Sequence, residues 1–199
     1  MHRSALLPSN EVELLEALAG RDLDEVEIDR WAVFVRSAGR AWMFFPVEVA
    51  YEEGDPIRDV DRIAIKEAEP SRSAKEGVAR DLGNIQRICI ARSLRAYFPG
   101  QRTAGTELVL GGKAVRIPPG VGHRSVQFAP QRLAEALASR PELRDLHFMS
   151  VDLGLVIETD QHRVLIRTSG YSAEQFIDPA PQSEHLADCD LLPLRSPLS

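Results

Sequence analysis

Trp31-Ala32-Val33-Phe34-Val35 and Ala41-Trp42-Met43-Phe44-Phe45 flank Arg36-Ser37-Ala38-Gly39-Arg40 and form the strongest local signal in the chain. Both runs are rich in β-branched and aromatic residues, which suit a pleated, packed surface. A turn centred on Ala38-Gly39 sets position 35 opposite 42 and position 33 opposite 44. One face then carries Trp31, Val33, Val35, Trp42 and Phe44, and the other carries Ala32, Phe34, Met43 and Phe45. Both faces are apolar, so residues 31–45 should be covered on both sides, by elements of the same domain or by a second copy in a homodimer.

Residues 153–168 read as a second hairpin. Leu153, Leu155, Ile157, Val164 and Ile166 alternate onto one face, with Asp152, Gly154, Glu158 and Arg167 on the other. The layout repeats that of residues 31–46 at a constant offset of 122, which a divergent duplication would leave but which any two hairpins match about as well. The polar second face predicts a one-sided hairpin.

Between and around these hairpins the signals are mixed. Asn10 with Glu13 has capping-box spacing and predicts a helix over 10–19, stopped by Gly20. Ser73 with Glu76 predicts another over 73–83, and Pro130 opens a third over 130–139. Residues 61–66 read as a short strand, 107–117 as a hairpin around Gly111-Gly112, and 85–98 as a strand in preference to a helix. The fold expected is α+β: mostly antiparallel hairpins with about three helices packed on the sheets. Residues 1–178 form one domain, with lobes 1–70 and 71–178 meeting near Pro70, and 179–199 form a Pro-rich irregular tail.

The chain has 199 residues, 44% apolar and 27% charged, with 24 basic and 30 acidic side chains for a net charge of −6. This composition excludes a disordered chain and permits a core without staples. The charge-free run 41–47 falls far short of the ~18 apolar residues of a membrane span. The first eight residues show no long apolar stretch, so a cytoplasmic setting is expected. Cys89 and Cys189 are too few for a disulfide framework, although their pairing is not decided by spacing.

Charge is distributed in blocks. Residues 11–69 carry 7 basic and 16 acidic side chains, 71–144 carry 13 and 5, and 145–199 carry 3 and 9. The bland account is mutual screening within one fold. The sharper one makes the middle segment a phosphate or nucleic-acid surface, with Arg92, Arg95 and Arg116 as its contacts. Tyr97 is the one aromatic placed to stack a base beside them, so base readout is disfavoured.

Familiar catalytic and nucleotide-binding motifs are absent. Gly120-Val121-Gly122-His123-Arg124-Ser125 offers His123 and Arg124 for acid–base or phosphate chemistry, which supports an enzyme or small-ligand alternative with the 120–125 loop at the site. His185 and Cys189 share a four-residue spacing but lack further soft ligands, and the carboxylates around Asp59 lack the spacing of a calcium loop, so no metal or cofactor is expected.

The function expected is a protein-binding module of the inhibitor, immunity or regulatory type. Glu48, Glu52, Glu53, Asp55, Asp59 and Asp61 place six carboxylates within fourteen residues, opposed by Arg58. Concentrated like charge is suited to steering a basic protein partner. Tyr51 and Ile57 would add apolar hold at the same surface.

Overall fold

In the computed structural model the described residues are 2–29, 31–49, 61–69, 76–97, 107–110, 113–116, 126–128, 147–169, 172–178, 186 and 189–194. They form strands β1 (His2–Ala5), β2 (Glu25–Asp29), β3 (Ala32–Ser37), β4 (Arg40–Glu48), β5 (Asp61–Ala68), β6 (Glu76–Arg80) and β7 (Ile85–Tyr97). Then follow β8 (Glu107–Leu110), β9 (Lys113–Arg116), β10 (Val126–Phe128), β11 (His147–Thr159), β12 (Arg163–Ser169), β13 (Ser172–Ile177) and β14 (Asp190–Pro193). One helix, α1 (Ser9–Leu18), lies between β1 and β2.

The expected complement of about three helices is therefore corrected. The described chain is two mainly antiparallel sheets with one short helix, plus the separate β8–β9 hairpin. Residues 76–80, read as helical, are β6, because pairing with β2 satisfies that backbone. Gly77 in β6 has a φ of 57° and sits at the irregular register there, a conformation that suits a strand distortion. Residues 172–175, whose Ser and Gln also have capping-box spacing, belong to β13. The expected helix 130–139 lies outside the described residues. Helix α1 starts one residue early with Pro8 at its N-cap and makes no side-chain capping bond, so the capping box of Asn10 and Glu13 does not form.

The first sheet has the order β5-β4-β3-β2-β6. In the second, β13, β12, β11 and β7 follow one another, and β14 pairs with β7. Five strands correspond: four antiparallel neighbours, consecutive in the first sheet but with β8–β10 intervening between β7 and β11 in the second, then a fifth returning to pair antiparallel with the first. The hairpins share a register as well. Val33 pairs with Phe44 and Val35 with Trp42; 122 positions on (155 − 33), Leu155 pairs with Ile166 and Ile157 with Val164. Even the ion pair between the first two strands recurs with its signs exchanged, Arg36–Glu25 at 3.1 Å in one sheet and Glu158–Arg87 at 3.7 Å in the other.

The sheets bury their matching faces against each other. Val26, Val33, Val35, Trp42, Phe44, Ile63 and Ile65 meet Ile88, Ile90, Leu155, Ile157, Val164 and Ile166 in one core, with Leu15 and Leu18 of α1. The 35–42 and 33–44 pairings are those read from the sequence. The second hairpin is not one-sided, however. On its other face Val156 and Leu165 join Cys89, and Phe176, Leu186 and Leu191 pack against them. Leu153 leaves the main core for a small cluster with Ala5, Met149 and Val151, because the ladder is irregular between Asp152 and Gly154.

Polar groups close the sandwich. Glu11 on α1 receives both terminal nitrogens of Arg62 at 2.8 Å and the Ile65 N–H at 3.2 Å. It thus occupies a donor on the edge strand β5, which would otherwise be open to pairing. Across the molecule, Ala173 N–H donates to the Trp31 carbonyl at 2.8 Å and the Gln175 amide donates to the Gly77 carbonyl, joining β13 to the first sheet. Where β7 and β11 run on past the main core to meet β1 and β10, Asp152 is fully buried. It accepts from Arg92 at 2.7 and 3.2 Å and from the Leu7 N–H at 2.9 Å.

Two consequences are measurable by chemical denaturation. Trp42 has no exposed surface, and Trp42→Ala should cost about 3–5 kcal/mol through lost transfer energy and a cavity; a wild-type midpoint would contradict this packing. Asp152→Ala leaves Arg92 and a backbone donor without their partner and should cost about 3 kcal/mol; a change within about 0.5 kcal/mol would show the joint to be dispensable.

Candidate functional site

The end of the first sheet formed by the β2–β3 turn, the end of β4 and the start of β5 gathers the features that matter for recognition. Register places Asp29 opposite Ala32 and Glu48 opposite Asp61 at this end. Trp31 lies in the turn and is 46% exposed, in contrast to Trp42. The alternation that put both rings on one face fails at the turn: Trp31 precedes β3, and its ring meets Phe45 on the sheet's outer side. The two rings stand edge to face, with centroids 5.9 Å apart and planes at 87°. Lys66 Nζ lies 5.3 Å from the Phe45 centroid, within cation–π range.

Trp31 is held from two directions. Its carbonyl accepts the Ala173 N–H, and its ring rests on Phe45. An exposed indole on a backbone tied to the opposite sheet loses little conformational freedom on binding. Behind it Ala32, Phe34 and Met43 form an outer-face cluster with Phe45 and Ala68. Along β2, Arg36 is clasped by Glu25 at 3.1 Å and Glu27 at 2.8 Å, which fixes a charged strip beside that cluster.

Of the acidic residues proposed from sequence, Glu48 is exposed at the end of β4 and Asp61 is partly buried at the start of β5. Tyr51, Glu52, Glu53, Asp55, Ile57 and Asp59 lie outside the described residues. The structure adds Trp31 and Phe45, which the charge count could not reveal. The signal available was an aromatic residue directly after Asp29-Arg30, a turn-forming break in the strand pattern.

The phosphate candidates are dispersed in role. Arg92 is engaged by Asp152. Arg95 occupies β7 opposite Met149, and Arg116 ends β9 opposite Glu107. His123 and Arg124 lie outside the described residues. Cys89 and Cys189 are both free. Pro193 pairs with Cys89 and Asp190 with Arg92, so the two cysteines sit about four residues apart along the ladder, roughly 13 Å and beyond disulfide reach. Burial pushes the Cys89 thiol up from its ordinary pKa, an inert setting for a nucleophile. Among the described residues, no three His, Cys, Asp or Glu side chains converge to hold a metal ion. No helix among them is long and apolar enough to cross a membrane.

At the opposite end, His162 Nδ1 and Asp178 Oδ2 are 2.7 Å apart. Asp178 also accepts the Arg163 N–H at 2.8 Å, and these two bonds, the backbone one first, hold its carboxyl below the usual range. The His162 backbone N–H donates to Thr159 Oγ1 at 2.7 Å. These bonds close the β11–β12 turn and fasten the end of β13.

The contrast between the two tryptophans is directly testable. A Trp42→Phe chain, with Trp31 as its sole indole, should emit at long wavelength and be quenched readily by acrylamide. A Trp31→Phe chain should emit at short wavelength and resist quenching; equal quenching of the two would contradict the assignment. No protein family model, no curated protein and no solved structure matches the chain.

Proposed function

We propose that this protein is a binding module of the inhibitor, immunity or regulatory type, and that it engages a basic protein through the Trp31 end of its first sheet. The observation that carries this reading is the Trp31 ring, 46% exposed yet fixed by Phe45 and by the Ala173–Trp31 backbone bond. Tryptophan is one of the residue types enriched at binding hot spots. The acidic segment 48–61 joins β4 to β5 at this same end, since Glu48 and Asp61 close the ladder between them. Carboxylates at the same end as an aromatic anchor, Asp29, Glu48 and Asp61 among the described residues, suit a partner that presents Lys and Arg around an apolar recess. The two free cysteines fit a reducing compartment such as the cytoplasm.

The test compares three baits in lysate of the native host: wild type, Trp31→Ala, and a chain with Glu52, Glu53, Asp55 and Asp59 changed to Lys. The expected result is one basic protein retained by wild type and lost by both variants, with all three baits melting alike. With the purified partner, Trp31→Ala should weaken binding by roughly 30-fold, the equivalent of about 2 kcal/mol. Charge reversal should act mainly on the association rate and in a salt-dependent way. Identical capture by all three baits would overturn the assignment.

A further inference from the structure

Strand β14 sits on the second sheet as a ligand sits in a groove. It pairs antiparallel with β7, Asp190 opposite Arg92, Leu191 opposite Ala91, Leu192 opposite Ile90 and Pro193 opposite Cys89. The Leu194 N–H donates to the Ile88 carbonyl at 2.9 Å. Its leucines alternate between faces: Leu191 covers the cluster of Cys89, Val156 and Leu165, while Leu192 and Leu194 reach the main core. This combination of main-chain pairing and alternate side-chain seats is the physics of strand addition to a sheet edge.

The seat and its occupant differ in burial. Cys89, Val156 and Leu165 are at most 1% exposed, whereas Leu191 and Leu192 are partly exposed and Pro193 is exposed. The corresponding strand of the first sheet, β6, is continuous with β7 through only four residues, 81–84, and those residues pair with the segment before β2. β14 is instead separated from β13 by residues 178–189, a stretch that contains Pro179 and Pro181. A four-residue, partly exposed strand joined to its sheet through a long connection belongs to the low-stability end of a fold.

We propose that the β7 edge at residues 88–92 is a strand-docking site, and that its ligand in trans is the 190–194 segment of a second copy of this chain. The chemistry that selects the ligand is on display in cis: leucines for both faces, and a carboxylate-bearing residue in register with Arg92. A second copy supplies that sequence identically. Reciprocal exchange gives a closed two-fold dimer with the same contacts. Pro193 lacks an N–H to offer a further strand, which favours closure over continued growth. The contacts of β14 with residues 88–92 share no residue with those that hold Trp31, so the two assignments are tested by different variants.

Covalent connection gives the chain's own strand an effective concentration in the millimolar range. Exchange in the wild type should therefore appear only as free strand approaches about 1 mM. The experiment uses full-length chain with Cys189→Ser, so that Cys89 is the sole thiol, and a peptide of residues 188–198 carrying the same change. In this background Leu191→Asp weakens the cis strand. It should speed Cys89 labelling about tenfold or more, because each 1.4 kcal/mol of lost docking is a factor of ten in opening. The peptide should then restore slow labelling at a concentration at least about tenfold below that needed to compete in the parent chain. Two tagged parent preparations, mixed near millimolar concentration, should yield mixed dimers. Amide exchange guards against general unfolding: faster exchange in Leu191→Asp should be confined to residues 88–92 and β14. Equal Cys89 labelling in parent and variant, failure of the peptide to protect, exchange raised across the whole sheet, or chains that remain monomeric near millimolar concentration would each overturn the proposal.

Discussion

Val35 and Trp42 face each other across β3 and β4, and the position of nearly every other element follows from burying the face they share. A hairpin with Val33, Val35, Trp42 and Phe44 on one side needs an equally large apolar surface opposite it. The second sheet supplies one of matching register, with Leu155, Ile157, Val164 and Ile166. Because side chains alternate with a period of two, a slip of one residue in either hairpin would turn these residues out of the core. Both hairpins are thus held in register by the same buried layer, and the strands added outside them inherit that register.

Charged and neutral polar groups then perform a different task. The apolar layer sets which faces meet, but it does not stop the sheets from extending at their edges. Glu11 with Arg62 occupies the edge of β5, and the Ala173–Trp31 and Gln175–Gly77 bonds join β13 to the first sheet. Asp152 with Arg92 and the Leu7 N–H holds the point where β7 and β11 leave the main core. Fully buried and with three hydrogen bonds, Asp152 ties β7, β11 and the segment before α1 together. The exposed Trp31 is a by-product of this arrangement: the backbone bond that closes one side of the sandwich also fixes the aromatic residue at its end.

The pairing of 33 with 44 and 35 with 42 was legible because alternation and Gly39 agreed on one register. Gly39 has a φ of 77°, and the turn needed such a residue. The repeated hairpin at 153–168 was legible in part, since its inner face could be read but the apolar layer of Val156 and Leu165 was masked by flanking charge. The stretch 76–80 was misread because Ser73 and Glu76 mimic a helix cap while the decisive factor, pairing with β2, is non-local. β14 was hidden for the same reason: a Pro-bounded segment becomes a strand only where an edge awaits it. At the candidate site, the acidic segment was visible as charge. Trp31 falls on the other face because it lies in a turn before β3, outside the parity that carries through 32–37.

Two like sheets share a single core and should therefore open as one unit. Native-state amide hydrogen exchange tests it most directly. The slowest amides should fall in β3, β4, β11 and β12 together, with one common opening free energy close to that of global unfolding. A protected set confined to one sheet, with the other exchanging at a clearly lower free energy, would contradict the shared core.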